Sequence, residues 1–174
     1  PLYVFTAPTP GTGKGLLADV LTIPATGTRV MRTAFVRDEA ELDKRFGALL
    51  KDGTDHVHFD NVEGVLNSAN LALFLTGELY SGRVLGVSTM PIYPQRMNAS
   101  LSGNNVTFGG VIPRRVALIR LDAGVERPQA RTGFIHEDIC GWTVENRALI
   151  VQACLTVVQS WVVAGMPPGS VVLG

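Results

Sequence analysis

The stretch Ala7-Pro8-Thr9-Pro10-Gly11-Thr12-Gly13-Lys14-Gly15 decides how the rest of this chain is read. The apolar run Leu2-Tyr3-Val4-Phe5 precedes it and Leu16-Leu17-Ala18-Asp19-Val20-Leu21 follows, so the local order is strand, glycine-rich turn, helix. Gly11 and Gly13 permit a tight turn whose N–H groups point inward, and the helix beginning near Lys14 adds the partial positive charge of its N-terminus. Together they suit a loop that cradles phosphate, with the Lys14 ammonium reaching the outer phosphates as a point charge. The competing reading is a Gly/Pro turn that joins a strand to a helix and holds nothing.

Working outward, 174 residues fit one domain with a small appendage, and 46% hydrophobic against 17% charged residues suits a compact α/β protein. Fifteen basic and fifteen acidic side chains leave no net charge, which argues against a globally basic nucleic-acid binder but not against a local patch. Cys140 and Cys154 sit in apolar, helix-like surroundings and are expected to be buried free thiols; with His56, His58 and His136 they make no zinc set. No apolar run approaches the roughly 18 residues of a membrane span. The chain starts at Pro1 without a Met, and is taken as part of a longer cytoplasmic protein.

After the loop, Thr28 to Arg32 reads as a short strand that Ala34-Phe35-Val36 continues. From Asp38 to Lys51, apolar residues at 42, 46, 49 and 50 have helical spacing, with Asp38 as N-cap and Gly53 as stop. His56 to Asp60 is an extended run ending in an acid. At the C-terminal edge of a parallel strand, that carboxylate lies beside the phosphate loop. Asn61 follows it, and the nearest other carboxylate is Glu63, either a base presented by the turn or simply a turn residue. Asn67 to Thr76 reads as a core helix, and 77–94 as a hairpin or exposed insertion. Tyr80, Arg83, Tyr93 and Arg96 either line a DNA path or a neighbouring subunit, or are solvated loop residues. The next strand runs into Ser102-Gly103-Asn104-Asn105, whose simpler reading is a hairpin turn. Arg114-Arg115 immediately precedes Val116-Ala-Leu-Ile, a buried strand. Beyond a polar connection at 124–133, Ala148 to Ala164 is apolar on nearly every turn, a helix buried on most sides or packed on a partner; Trp142 and Trp161 are expected in the core.

Pro10-Gly11-Thr12-Gly13-Lys14, Phe59-Asp60-Asn61, Ser102 to Asn105 and Arg114-Arg115 stand in the order of an AAA+ P-loop ATPase, which nearly the whole chain resembles. The wording is most similar to the ATPase or helicase domains of phage and mobile-element replication proteins associated with primases. The resemblance implies a three-layer α/β sandwich with a five-stranded parallel sheet, a P-loop core at 1–125 and a small helical part at 126–174. It implies ATP and Mg²⁺ as ligands, held by Pro10 to Gly15 and Leu16, with Asp60 as the Walker B aspartate on the metal. Asn104, with Asn105 as alternate, resembles sensor 1. Arg114 or Arg115 resembles the arginine finger that acts on a neighbouring subunit's nucleotide, and Arg131 or Arg147 a sensor 2 arginine. Ring assembly, as a homo-oligomer and possibly a hexamer, and action on DNA follow from the family and not from composition.

Three positions depart from the family pattern. Pro8 replaces the first glycine, Gly15 replaces the Ser or Thr whose hydroxyl ligates Mg²⁺, and Asn61 replaces the Glu that polarises water. An amide orients a water but does not take its proton. Two functions therefore compete: an ATP-driven DNA motor or loader, and a nucleotide-binding switch or scaffold with little turnover. A small-molecule kinase ranks last, for want of an acceptor pocket and lid.

Overall fold

The computed structural model describes residues 1–82 and 91–169. The elements in chain order are β1 (Leu2–Ala7), α1 (Lys14–Thr26), β2 (Met31–Ala34), α2 (Glu39–Lys51), β3 (His56–Asp60), β4 (Val65–Leu66), α3 (Ala69–Phe74), β5 (Leu79–Ser81), β6 (Ile92–Pro94), β7 (Asn98–Asn104), β8 (Thr107–Phe108), β9 (Val116–Arg120), α4 (Ile139–Glu145) and α5 (Arg147–Val163). They group into two compact units, Pro1–Ala18 with Val30–Gly133, and Asp19–Arg29 with the chain from Phe134 onward. The helical part read as 126–174 thus shares its unit with Asp19–Arg29, while 126–133 groups with the first unit.

The first unit is built on a five-stranded sheet in the order β2-β3-β7-β1-β9, parallel throughout, as expected. One face carries Leu2, Val4, Val57, Phe59 and Leu101 against Leu42 and Phe46 of α2 and Leu71 and Phe74 of α3. The Phe46 and Phe74 rings stack there with centroids 4.1 Å apart. On the other face, a smaller cluster joins Phe5, Ala18 and Val30 with the half-buried Leu17 and Ile119. β1 carries apolar side chains on both faces, whereas β3 and β7 turn their apolar side chains to the α2 and α3 face and polar ones to the other.

Local chemistry sets the element ends. The Asp38 carboxylate accepts from the Glu41 amide to start α2, and the Ser68 hydroxyl accepts from Leu71 to start α3. Gly53, at φ +68°, follows the last turn of α2. β5 and β6 pair antiparallel, Tyr80 opposite Tyr93, so 77–94 does contain a hairpin; Arg83 lies outside the described residues. Tyr80 is buried, and its hydroxyl donates to Asp43 at 2.7 Å, so it is a core residue and does not line a DNA path. Burial, and then the Asp43 carboxylate, push its phenol well above the ordinary value.

Several expectations are corrected. The second strand begins at Met31, because the chain leaves α1 through Gly27 at φ +80° and reaches the sheet late. β9 is an edge strand paired only with β1, so Leu118 is 54% exposed where a buried strand was expected. None of the α5 side chains is buried, Trp161 is 47% exposed with its indole N–H on the Pro167 carbonyl, and Cys154 is an exposed thiol. Periodicity reports how apolar a helix is and not whether anything covers it. Cys140 is buried and free, as expected. Trp142 is half-buried and stacks on His136, ring centroids 4.4 Å apart. No single helix among the described residues is long and apolar enough to cross a membrane.

Candidate functional site

The C-terminal ends of β1, β3 and β7 open into one cavity of about 330 Å³. Pro10 to Gly15 form one wall, Asp60 and Asn61 a second, and Ser102, Gly103 and Asn104 a third. The topology brings these distant stretches together because β7 lies between β1 and β3, with Ala7 opposite Asn104 and Phe59 opposite Leu101. Parallel strands all deliver their loops to one edge, where open α/β sheets hold ligands.

The loop has a backbone that few residues other than glycine adopt. Gly11 stands at φ +75° and Gly13 at φ +91°. A Cβ on Gly11 would come within 3.0 Å of the Gln129 side chain, whereas nothing lies within 4 Å of where a Cβ on Gly13 would point. Gly11 is thus held from outside by Gln129, and Gly13 faces open space. Lys14 begins α1, and its Nζ donates to Asn104 Oδ1 at 2.7 Å, with longer contacts to the Thr12 hydroxyl at 3.4 Å and the Thr9 carbonyl at 3.5 Å. Partial burial lowers the Lys14 ammonium from its ordinary value, against the Asp60 charge, which raises it.

Asp60 is the only carboxylate among the described residues that line the cavity. Ser102 Oγ donates to its Oδ1 at 2.5 Å, the Asn61 amide donates to the same atom at 3.0 Å, and His58 Nε2 lies 3.9 Å away. Burial raises this carboxyl, but the Ser102 hydroxyl, His58, the Asn61 amide and Arg32 outweigh it and leave the group below the usual carboxylate value. The carboxylate is therefore ionised and aimed. Asn61 itself adopts φ +54°, a left-handed conformation that asparagine tolerates better than most residues.

The donor set fits a triphosphate with a hard cation shared between them. Among the described residues no group of three His, Cys, Asp or Glu side chains is placed to hold a metal by itself. One carboxylate with phosphate and water oxygens is, however, the usual environment of Mg²⁺. The Thr12 hydroxyl lies against Lys14 and the Ser102 hydroxyl donates to Asp60, so Asp60 is the protein group left for the metal.

The other expected residues lie elsewhere. Leu16 is 46% exposed on α1 and does not line the cavity. Glu63 lines an adjoining hollow with Arg37 and Phe35, and its backbone carbonyl accepts from Arg37. Asn105, at φ +47°, braces the loop from behind: its amide N–H donates to the Ala7 carbonyl and its side chain to that of Pro8. Arg114 and Arg115 end a short 3₁₀ turn before β9, at the edge of the sheet opposite the cavity, and Arg115 donates to the Val111 carbonyl. Arg131 donates to the Pro128 carbonyl, and Arg147 to the Pro24 and Ala25 carbonyls.

Sequence reasoning assigned no role to His58, Ser100, Ser102, Gln129 or Arg32. His56 Nε2 and His58 Nδ1 both bond the Ser100 hydroxyl, at 2.9 and 2.8 Å. One hydroxyl proton serves only one of them, so the other imidazole donates to it. His56, His58, Asp60 and Ser100, Ser102, Asn104 form two neighbouring polar columns on one face of the sheet. The signal was legible as strict polar/apolar alternation in His-Val-His-Phe-Asp and Asn-Ala-Ser-Leu-Ser-Gly-Asn. Strands covered on both faces are ordinarily apolar throughout.

No family model matches this chain, and no curated protein matches it. Among solved structures, it is similar to the apo C-terminal region of NrS-1, with a TM-score of 0.53 and 18% identity over 84% of this chain and 33% of that one. At that identity the likeness is one of fold. The chain spans about a third of the length of the region it matches.

Proposed function

We propose that this chain is an AAA+-type P-loop ATPase domain that binds ATP with Mg²⁺ and works within a homo-oligomer on DNA during replication of a phage or mobile element. The observation that carries the reading is the meeting of Pro10 to Gly15, Asp60 and Asn104 around one cavity at the C-terminal edge of the parallel sheet. When bound, Mg²⁺ neutralises charge on the transferring phosphoryl group.

The chain's own groups supply the rest. The loop amides and the N-terminus of α1 bind phosphate oxygens, Lys14 adds its charge to the β- and γ-phosphates, and Asp60 holds the metal. Asn104, released from Lys14, orients the attacking water. Arg114 or Arg115 acts in trans, since both lie across the sheet from the chain's own cavity. The likeness to the NrS-1 region supports the fold on which this reading rests. The test is ATP binding by Lys14→Ala: a loss of about tenfold or more is expected. Undiminished binding overturns the reading.

A second reading, a nucleotide-dependent switch with little turnover, draws on Asp60 being the lone carboxylate among the described cavity residues. Turnover stimulated by single-stranded DNA favours the motor; tight binding without turnover in assembled protein favours the switch.

A further inference from the structure

Residue 15, where the resemblance calls for a metal-binding hydroxyl, is a glycine, and a guanidinium lies over it. Arg32 of β2 donates from Nη2 to the Gly15 carbonyl at 3.0 Å. A Cβ placed on Gly15 would meet Arg32 Nη2 at 3.4 Å, Cζ at 3.6 Å and Nε at 4.0 Å. The space a side chain at 15 would enter is therefore bordered by the Nη2, Cζ and Nε atoms of Arg32. In the sheet, Arg32 pairs with His58, two residues before the Ala34–Asp60 pair, and its charge is among those that hold the Asp60 carboxyl down.

The exchange changes the electrostatics of the site. A hydroxyl at 15 is a neutral ligand that recruits a cation. A guanidinium is permanently charged, offers only donors, does not ligate a metal, and matches phosphate oxygens with a planar fork. Next to a metal position it disfavours the cation, and next to a phosphate it replaces part of what the cation does.

We propose that Arg32 is a phosphate-binding residue of this site, its guanidinium seated over Gly15 and supplying charge neutralisation that a metal held by residue 15 would otherwise provide. The proposal rests on the nucleotide reading of the cavity. It makes nucleotide binding by this chain only weakly dependent on Mg²⁺.

The experiment is titration of the whole chain with a fluorescent ATP analogue, in excess Mg²⁺ and in EDTA. The wild-type dissociation constant is expected to differ by less than about threefold between the two conditions. Arg32→Gln is expected to weaken binding in EDTA by about tenfold or more, and Arg32→Lys, which keeps the charge, by less. Adding Gly15→Ser to Arg32→Gln restores affinity in Mg²⁺ and not in EDTA. Wild-type affinity in Arg32→Gln under both conditions, alongside loss in Lys14→Ala, overturns the role of Arg32 and leaves the nucleotide site standing. Equal weakening by Arg32→Lys and Arg32→Gln also overturns it, because the loss then does not follow charge. Undiminished binding in Lys14→Ala, or none in wild type, overturns the nucleotide site and this inference with it.

Discussion

The Lys14 ammonium donates to the Asn104 side-chain oxygen at 2.7 Å, across 90 residues of sequence. The contact joins the first turn of α1 to the end of β7, between two residues that line the cavity. A phosphate arriving there must compete with the amide for the lysine. Because an amide oxygen is a neutral acceptor, the ammonium gains by exchanging it for an anionic one.

Asn104 variants separate holding from chemistry. Asn104→Asp places a carboxylate on Lys14 and is expected to weaken ATP binding by about tenfold or more, since the lysine is then paired before the nucleotide arrives. Asn104→Ala removes the competitor; affinity should be kept or improved, while turnover falls by about a hundredfold for want of a water-orienting group. Calorimetric titration beside a steady-state phosphate-release assay reads both. Equal affinity in the two variants contradicts the competition.

Gly103 is the packing position on which the third wall depends. A Cβ there would lie 2.0 Å from the Val62 carbonyl oxygen and 2.5 Å from a Val106 methyl. The Val62 amide also donates to the Ser102 carbonyl at 2.8 Å, fixing the turn after β3 against β7. Gly103→Ala is expected to cost about 3 kcal/mol or more, because the obstacle is backbone and not a pliable side chain. Urea denaturation should show a lower midpoint at unchanged slope; a shift equivalent to less than about 1 kcal/mol would contradict the geometry.

The pH dependence of stability has a calculable sign. Burial holds the His56 imidazole below its ordinary value of 6.5, so the unfolded chain takes up the proton more readily than the folded one. The stability attached to the neutral ring is present above 6.5 and is lost as pH falls from there toward the lower folded value. Asp60 acts in the same direction, but below the ordinary carboxylate value of 3.8. Melting temperature should therefore drop on going from about pH 7.5 to 5.5, and the drop should shrink in His56→Gln. An equal drop in that variant places the titrating group elsewhere.

Two leucines report the difference between the units' helices. Leu71 of α3 is fully buried, whereas Leu155 of α5 is 63% exposed. In the isolated chain Leu71→Ala should cost about 2–5 kcal/mol and Leu155→Ala under about 0.5 kcal/mol. A large loss at Leu155, measured at a concentration where the chain is monomeric, would show α5 to be covered.

Much of the fold was written in local pattern. A glycine-rich turn between an apolar run and a helix, Asp38 as a cap, and the 3.6-residue spacing of Leu42, Phe46, Leu49 and Leu50 are short-range physics, decided within a few residues of chain. The ends of β1, β3 and β7 were legible for the same reason: each is an extended run stopped by a polar or glycine-rich turn.

What depended on neighbours was not legible. The exposure of α5, the edge position of β9 and the burial of Tyr80 are properties of what packs alongside, and an apolar side chain carries no record of whether it is covered. The choice between Asn104 and Asn105 turned on which amide faces the cavity and which braces Pro8, a matter of strand register between β1 and β7. Arg32 looked like any strand residue until parallel pairing of β2 with β3 carried it over Gly15. Sequence by itself determined the glycine-rich turn between β1 and α1 and the acid that ends β3, because those are consequences of backbone geometry and alternation; the parallel sheet was expected from the family resemblance and not from pattern. Only the tertiary structure decided which charges share the cavity, because electrostatic partnership depends on distance in space and not on position in the chain.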